Sequence, residues 1–353
     1  MRRMTNEKEF TTTERKRSLD HLSNIQNHYS TLDNESKHNR NNSSIFYLRN
    51  INNWIKLVLM GKYLMPHSNV FDVCCGKGGD LLKWQNLRVR NLVAADVTLP
   101  CVIAAQKRYS NLKNRCFRGE FIYGDCFLPG VVDKLPNGFF FDFASCQFAL
   151  HYSFSSQKRI ENLLENVSKR LKKGGHFVGT IPNSNWIIKK LRSVEGYTIQ
   201  NSKFKIEFEK TSLQSQKEKI PIFGAEYKFY LNPSVVGVSE FLVHFPTLVK
   251  LAKKYGLELD WKQTFHNIYL YGSQFKNYLL LMKKNNCFNQ NNTISQIDWD
   301  LMNLYLGFAF KKVTDPQDWN PNETVDLQSR KIISQEDIIV LDQSEFGGRL
   351  YQN

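Results

Sequence analysis

The feature that most constrains the fold of this chain is a repeated alternation of short apolar segments with helical patterns. The apolar segments are 70–74, 92–95, 121–123, 139–145 and 176–181. Strands that alternate with helices are typical of a doubly wound, mostly parallel sheet with helices on both faces. We therefore predict an α/β fold whose ligand site lies beyond the carboxyl ends of the strands.

The turn after the first predicted strand has the sequence CGKGG, at residues 75–79. A glycine-rich turn between a strand and a helix lets the backbone approach a ligand closely. It is not the dinucleotide motif GxGxxG, because Cys74 and Cys75 occupy positions where glycines are needed. It is not a Walker A loop either, because Gly78 follows Lys77 where that motif requires serine or threonine.

Acidic residues lie at or near three of the predicted strand ends. Asp72 precedes the glycine-rich turn, Asp96 ends the second strand, and Asp125 follows the third. An acid at the end of the second strand is placed to bind ribose hydroxyls. Asp125 is placed to meet an adenine edge. The pattern fits both S-adenosylmethionine and NAD, and we favour S-adenosylmethionine.

The charge of the chain favours a polyanionic partner such as nucleic acid. It has 48 lysines and arginines against 33 aspartates and glutamates, a formal net charge of +15. Residues 313–353 are acidic, with three basic residues against eight acidic ones. A polyanion is therefore expected to bind residues 1–312.

Cysteine and hydropathy patterns narrow the class of protein further. No apolar run approaches the ~18 residues of a membrane span, and residues 1–17 lack the apolar stretch of a secretory signal. The seven cysteines include no CxxC pair, so we expect no metal site and reduced thiols in the cytosol or nucleus.

Two helical patterns bear on candidate site residues. In the first, residues 51–59 repeat apolar side chains at helical spacing, which puts Asn52, Asn53 and Lys56 together on another face. In the second, Ser239 is predicted to cap a helix over 240–255. A last buried strand is expected at 304–310.

Six motifs then occur in a specific order along the chain. They are LRNINNWIK (48–56), CGKGGDLLKW (75–84), SCQFALHYSF (145–154), GTIPNS (179–184), FLV (241–243) and YLGFAF (305–310). In this respect the chain resembles the eukaryotic mRNA cap guanine-N7 methyltransferase family, from roughly residue 28 to residue 311. The resemblance implies a class I methyltransferase fold with a mostly parallel seven-stranded sheet, S-adenosylmethionine as methyl donor and 5′-capped RNA as substrate.

The resemblance also implies roles for individual residues. The cofactor-binding residues that it implies are Lys56, Cys74, Asp96, Asp125, Gln147 and Tyr152. The strand and glycine-rich turn add Asp72 and Gly76 to this set. The residues expected around the cap guanosine are Asn52, Asn53, Phe148, His151, Glu240 and Tyr305. Those expected near the cap phosphates are Lys77, Lys83 and Arg108.

Cys74 departs from the family pattern, which has glycine at this position. A positive φ there would cost a cysteine about 1–2 kcal/mol. No catalytic residue is predicted, because guanine N7 already carries a free lone pair and attack needs no general base. The alternatives are another class I RNA or small-molecule methyltransferase, and a noncatalytic cap- or RNA-binding relative.

The sequence divides into three predicted regions. Residues 1–45 are a mobile polar arm and 46–312 are the methyltransferase domain, with a cofactor core at about 65–185 and cap-pocket additions at about 195–275. Residues 313–353 are an acidic tail of unassigned role. We expect nuclear residence, or a cytoplasmic location if the source is a virus or unusual parasite, and association with other capping enzymes or the transcription machinery.

Overall fold

The structure is a computed structural model that describes residues 43–209, 219–232, 235–323, 325–328 and 334–341. The helices of these ranges are α1 (Phe46–Tyr63), α2 (Leu81–Asn86), α3 (Leu99–Ser110), α4 (Gln157–Arg170), α5 (Ser184–Arg192), α6 (Phe245–Lys254), α7 (Phe265–Gly272), α8 (Lys276–Lys284) and α9 (Gln296–Leu301). A 3₁₀ helix, η1 (Leu150–Ser155), precedes α4. The predicted arm lies almost entirely outside the described residues.

The strands form two sheets. The strands of the main sheet are β1 (Asn69–Val73), β2 (Asn91–Asp96), β3 (Arg118–Tyr123), β4 (Phe141–Gln147), β5 (Leu171–Pro182), β10 (Leu257–Thr264), β11 (Tyr305–Lys312) and β12 (Ile339–Val340). Those of the small sheet are β6 (Thr198–Gln200), β7 (Phe204–Glu207), β8 (Glu226–Leu231) and β9 (Val235–Phe241).

The main sheet has the order β10-β11-β5-β4-β1-β2-β3-β12. From β5 to β12 all neighbours are parallel, whereas β11 runs antiparallel between β5 and β10. The predicted α/β fold is therefore confirmed. The short strand β12 adds an eighth member to the seven strands expected.

The small sheet β6-β7-β8-β9 is antiparallel throughout. It accounts for the strand-rich part of the predicted cap-pocket additions. The remainder of that predicted region divides differently, because β10 belongs to the main sheet and α6 directly precedes it.

The helix predicted over 240–255 begins later than expected. Ser239 and Glu240 lie inside β9, and α6 starts at Phe245 with a proline in its first turn. The serine–glutamate pair resembles a helix start, but Glu240 pairs with Tyr227 across the small sheet. Cross-strand pairing therefore outweighs the local capping signal here.

Residues 172–175 include two glycines and lie in β5, which begins immediately after α4. The last turn of α4 contains Lys169 and Arg170, which place positive charge near the C-terminus of the helix. Other boundaries agree within a few residues. Helix α1 buries its apolar face as predicted, with Ile51, Trp54 and Val58 fully buried.

The C-terminal region is not a separate tail where the structure describes it. Strand β12 pairs with β3 at the outer edge of the main sheet, and Leu327 is buried in the core.

Candidate active site

Four parallel strands end side by side at one edge of the main sheet. Their order is β4-β1-β2-β3, so each is the neighbour of the next. The candidate residues at or just beyond these ends, in the same order, are Gln147, Cys74, Asp96 and Asp125. The sheet thus brings together the side chains that the sequence placed at strand ends.

The turn at residues 75–79 is closed on one side and open on the other. A Cβ on Gly78 would lie 3.1 Å from the backbone of Ala105, so glycine allows the turn to pack closely on α3. A Cβ on Gly76 would meet nothing within 4 Å among the described residues. Both glycines have positive φ, 53° at Gly76 and 72° at Gly78. The outer side of the turn can therefore take a ligand against bare backbone.

Cys74 has a φ of 58°, in the left-handed region that favours glycine. This is the conformation for which the sequence predicted a cost of about 1–2 kcal/mol. Its thiol interacts with the thiols of Cys126 and Cys146. The hydrogen bond with Cys126 lowers the pKa of Cys74, but the bond with Cys146 and burial raise that pKa well above its ordinary value. Cys74 is therefore a neutral thiol near pH 7.

Asp96 joins the glycine-rich turn to the start of α3. One carboxylate oxygen accepts from the backbone N–H of Gly76 at 2.8 Å, and the other accepts from that of Thr98 at 2.9 Å. Burial raises the pKa of Asp96 above its ordinary value. The Thr98 side chain bonds the same carboxylate, and the two oxygens together offer about four acceptor positions, so ribose binding by Asp96 is chemically available and stays a prediction.

Asp125 is fixed from the protein interior. Its carboxylate accepts from the Arg159 guanidinium at 2.9 Å and from the backbone N–H of Phe127 at 2.9 Å. Both Asp125 and Arg159 are buried. This ion pair was not expected from the sequence, and it makes Asp125 a rigid element of the strand end. Its contact with adenine stays a prediction.

The carboxylate of Asp80 binds two candidate lysines, Lys56 and Lys83, in one largely buried cluster. It accepts from Nζ of Lys56 at 2.6 and 2.9 Å and from Nζ of Lys83 at 2.7 Å. Lys83 also donates to the side-chain oxygen of Asn53 at 2.9 Å. Burial alone would raise the pKa of Asp80, but the two lysines hold it well below its ordinary value. Two cations share one aspartate, so the cluster still attracts an anionic group.

Gln147 ties the end of β4 to β5. Its amide donates to the Ser145 hydroxyl at 3.0 Å and accepts from the Thr180 hydroxyl at 3.1 Å. Tyr152 follows in η1, where its ring lies 4.2 Å from the imidazole of His151, centroid to centroid. The structure therefore places both candidate cofactor residues at the same strand end.

His151 and Glu240 form a buried pair where η1 meets β9. Nε2 of His151 lies 3.5 Å from one oxygen of Glu240, and the other oxygen accepts from the hydroxyl of Tyr227 at 2.6 Å. Neither ring nitrogen of His151 has a hydrogen-bond partner among the described residues. Buried polar atoms left unpaired indicate a missing ligand. Burial and the charge of Glu240 raise the pKa of Tyr227, which keeps its proton.

Tyr305 belongs to an aromatic cluster beside this pair. Its ring centroid lies 5.1 Å from that of Phe148, edge to face, and 5.4 Å from that of Phe265. Phe148 has a φ of 58°, so a second non-glycine residue at a strand end adopts the left-handed conformation. Such strain is characteristic of functional sites. Stacking of Tyr305 on the cap stays a prediction.

The candidate phosphate-binding residues fall into two groups. Arg108 donates to the backbone carbonyl of Lys77 at 2.7 Å, so these two meet at the glycine-rich turn. Lys83 lies instead in the cluster around Asp80. The side-chain oxygen of Asn52 is buried and lacks a hydrogen-bond partner within the described ranges, which leaves it available to a ligand.

The described residues contain no group of three or more His, Cys, Asp or Glu side chains suited to a metal ion. None of the helices in those ranges combines the length and apolarity that crossing a membrane requires.

Comparison with known proteins identifies the family. Residues 12–313 match the model of the mRNA (guanine-N(7))-methyltransferase domain. This chain belongs to that family. The mRNA cap guanine-N(7) methyltransferase of Drosophila melanogaster is 33% identical over 340 residues, covering 84% of this chain and 78% of that protein. The mRNA cap guanine-N(7) methyltransferase 1 of Arabidopsis thaliana is 35% identical over 299 residues, covering 82% and 80%.

Family membership makes S-adenosylmethionine the methyl donor, and the site has the features this donor needs. The outer side of Gly76 gives bare backbone, and the cluster of Lys56, Asp80 and Lys83 supplies excess positive charge for a carboxylate. Asp96 supplies acceptors for hydroxyl groups. These residues therefore fit the methionine and ribose portions of S-adenosylmethionine.

Asp80 and Tyr227 were not assigned site roles from the sequence. Asp80 stands in the CGKGGD motif but looked like a helix start, and its Lys56 partner is 24 residues away. Tyr227 alternates with exposed residues along β8, so the pattern indicated a half-buried strand without showing its partner. Only the β8–β9 register places Tyr227 opposite Glu240.

The left-handed conformation of Cys74 predicts an unusual order of stability among its variants. Cys74→Gly is expected to be more stable than Cys74→Ala by about 0.5–1 kcal/mol. Relief of about 1–2 kcal/mol of strain exceeds the entropy that glycine adds to the unfolded chain. Urea unfolding measures the difference. At the exposed Cys116, which is not among the positive-φ residues, alanine should be the more stable of the two. A lower stability of Cys74→Gly than Cys74→Ala would contradict the prediction.

The raised pKa of Asp72 should make the free energy of unfolding depend on pH. Burial and the charge of Asp80 raise the pKa of Asp72 to about 7, and the indole of Trp84 donates to its carboxylate at 3.0 Å. The unfolded-state pKa is lower, about 3.9, so the folded state loses stability as the pH rises from about 4 to 7. Asp72→Asn keeps an acceptor for Trp84 and cannot ionise.

Asp72→Asn should therefore gain stability relative to the wild type between pH 5 and pH 8. Urea unfolding of both proteins at intervals across this range measures the change. A stability difference that does not vary with pH would show that Asp72 does not carry the effect.

Proposed function

We propose that this chain transfers the methyl group of S-adenosylmethionine to N7 of the guanosine that caps the 5′ end of RNA. The observation that carries this proposal is the buried pair of His151 and Glu240, next to the strand end where the cofactor residues meet. A carboxylate buried with a histidine whose ring nitrogens are unpaired needs a polar ligand. The family to which the chain belongs supplies the reaction.

Glu240 gives the site its means of choosing guanine. The Watson–Crick edge of guanine presents two donors, the N1–H and the exocyclic amine, and a carboxylate accepts from both. Adenine lacks the N1–H donor and would leave a buried charge unpaired, which is costly. The hydroxyl of Tyr227 bonds one oxygen of Glu240 at 2.6 Å and so fixes the orientation of the carboxylate.

The chemistry requires positioning more than proton transfer. The cofactor supplies an electrophilic methyl group on a sulfonium, and guanine N7 supplies a free lone pair. The residues of this chain align the two, and good alignment is worth on the order of 7–11 kcal/mol. Attack spreads positive charge onto the purine, which the carboxylate of Glu240 would stabilise. His151 is not needed as a base.

The excess positive charge of residues 1–312 should contribute to RNA affinity in a way that does not depend on the cap. Lys77 and Arg108 at the turn, and Lys83 beside Asp80, are proposed to meet the cap phosphates. Phosphate contacts of this kind weaken as salt concentration rises. Contacts between Glu240 and the cap guanine should add a cap-dependent contribution to this affinity, and salt should weaken that contribution less.

The deciding experiment mixes the purified chain with labelled S-adenosylmethionine and RNA ending in GpppG. Label is expected on guanine N7, and the product can be digested to map it. RNA ending in ApppG is the matched control and should have no label on its terminal adenosine. Folded protein that binds S-adenosylmethionine but methylates neither RNA would favour a noncatalytic cap-binding relative. Label at another atom would favour a different RNA methyltransferase.

We also propose that the protein acts in the nucleus, alongside other capping enzymes or the transcription machinery, because that is where eukaryotic transcripts receive their caps. A source that caps RNA in the cytoplasm, such as a virus, would place it there instead. A fluorescent fusion in the source cell separates these locations.

A further inference from the structure

The segments 325–328 and 334–341 pack against the main sheet at β2 and β3, and we name them the C-terminal strap. The family match ends at residue 313, so the strap lies beyond it. Strand β12 of the strap pairs in parallel with β3, Ile339 opposite Ile122 and Val340 opposite Tyr123. The strap therefore covers the backbone edge of β3, which an open sheet would leave exposed.

Asp326 anchors the strap at the amino ends of β2 and β3. Its carboxylate pairs with Arg90 at 2.5 Å and with Arg118 at 2.6 Å, and it accepts from the Asn91 amide at 2.9 Å. Burial opposes ionisation, but these partners lower the pKa of Asp326 to about 2. Leu327 beside it is buried in the core. This end of the strap lies opposite to the edge where the cofactor residues meet.

Leu341 holds the other end of the strap at that edge. Its backbone N–H donates to the carbonyl of Tyr123 at 3.1 Å. Its side chain lies beside Gly124, where a Cβ would come within 2.5 Å of the leucine Cδ1. Gly124 in turn donates to the backbone carbonyl of Asp96 at 2.9 Å. Leu341 thus contacts the backbone that connects the two acids assigned to ribose and adenine.

We propose that Leu341 is a positioning residue for the adenine end of the cofactor site. This positioning role rests on the proposed function, in which S-adenosylmethionine is the methyl donor, and on the prediction that Asp125 meets its adenine. Arg159 holds the side chain of Asp125 from the interior, and Leu341 supports the backbone of Gly124 from the outside. The three atoms nearest to the position of a Gly124 Cβ all belong to Leu341, so without this side chain the connection at 124–125 samples conformations that do not bind.

The test replaces Leu341 by alanine and measures the Kd of S-adenosylhomocysteine by calorimetry. If the connection then holds its binding conformation about a tenth of the time, the Kd rises about tenfold. The KM for S-adenosylmethionine should rise by a similar factor. The kcat and the KM for capped RNA should stay within about twofold. The matched control is Val340→Ala, on the same strand with a 61% exposed side chain, and its Kd should equal that of the wild type.

A purely structural role for the strap is distinguished by Asp326→Asn, which loosens the opposite anchor. This variant is expected to lower Tm without changing the Kd for S-adenosylhomocysteine. If Leu341→Ala and Asp326→Asn change the Kd alike, or if Leu341→Ala leaves it unchanged, the positioning role is overturned. Should Leu341→Ala fail to fold, Leu341→Val is measured instead, with an expected two- to threefold rise; an unchanged Kd there overturns the proposal equally.

The same measurements distinguish failure of the positioning role of Leu341 from failure of the proposed function. A wild-type chain that binds S-adenosylhomocysteine but does not methylate capped RNA contradicts the function, while the Leu341 effect on the Kd still stands. A wild-type chain that binds neither S-adenosylmethionine nor S-adenosylhomocysteine contradicts both.

Discussion

Replacing Glu240 by glutamine is expected to lower kcat/KM for capped RNA about 100-fold, with little change in the Kd for S-adenosylmethionine. A hydrogen bond to a charged acceptor contributes about 1.5–3 kcal/mol. Glutamine can still accept one guanine donor, but its amide group faces the other donor and repels it. Losing about 3 kcal/mol corresponds to about two powers of ten in rate.

The structure offers a matched control in the same small sheet. Glu207 also accepts from a tyrosine hydroxyl, that of Tyr230, at 3.3 Å, but it is partly exposed and lies in β7. Glu207→Gln should therefore leave methylation unchanged. Initial rates with GpppG-ended RNA and cofactor titrations on both variants provide the comparison. Equal losses of cofactor binding and methylation in Glu240→Gln would refute its assignment to the cap base.

Replacing Tyr227 by phenylalanine should lower kcat/KM for capped RNA less than Glu240→Gln does. Tyr227→Phe removes the hydroxyl that orients Glu240 but leaves the carboxylate and its two acceptors. One lost hydrogen bond to a charged group is worth about 1.5–3 kcal/mol at most, part of which water can restore. The rate loss of Tyr227→Phe should therefore lie between those of Glu207→Gln and Glu240→Gln.

The sequence was enough to place the candidate cofactor residues at neighbouring strand ends, because each of them lies close in sequence to its strand. Asp96 is the last residue of β2 and Asp125 lies two residues after β3, so each candidate side chain is close in sequence to its strand end. Alternating strands and helices then force these ends to one edge of the sheet. The same reasoning, with the glycine of related proteins, singled out Cys74 as the position of strain, and its φ of 58° confirms this.

The cap side could not be derived in the same way because its contacts join distant segments. Ser239 and Glu240 resemble a helix start when only neighbouring residues are considered. What makes them part of β9 is pairing with β8, and the register between two strands is not encoded in either strand alone. The family resemblance identified Glu240 as a site residue, while the local pattern misplaced its secondary structure.

The strap is a stronger example of pairing between distant segments that local sequence does not predict. Strand β12 has only two residues, too few for any periodicity, and its partner β3 lies more than 200 positions earlier. Composition indicated an acidic tail, but one of those acids, Asp326, is bound by two arginines of the main sheet. Charge counting alone does not show which acids have partners.

Asp80→Asn is expected to cost about 3–5 kcal/mol of folding free energy, because it leaves two buried ammonium groups without their shared counter-ion. Lys56 and Lys83 both contact Asp80, and all three side chains are 9–13% exposed. Asp133→Asn is the control: its pair with Lys169 is about half exposed on both sides, so its loss should cost about 1 kcal/mol or less. Urea unfolding at pH 7 measures both.

Two further measurements tie that loss to repulsion between the lysines. Lys83→Met added to Asp80→Asn removes one of the two cations and should recover much of the lost stability. Burial and the charge of Lys56 already lower the pKa of Lys83, and removing Asp80 lowers it further. Because the unfolded lysine keeps its proton up to about pH 10.4, the stability deficit of Asp80→Asn should shrink as the pH rises toward that value. A deficit that is constant with pH and unaffected by Lys83→Met would mean that Asp80 acts through packing instead of charge.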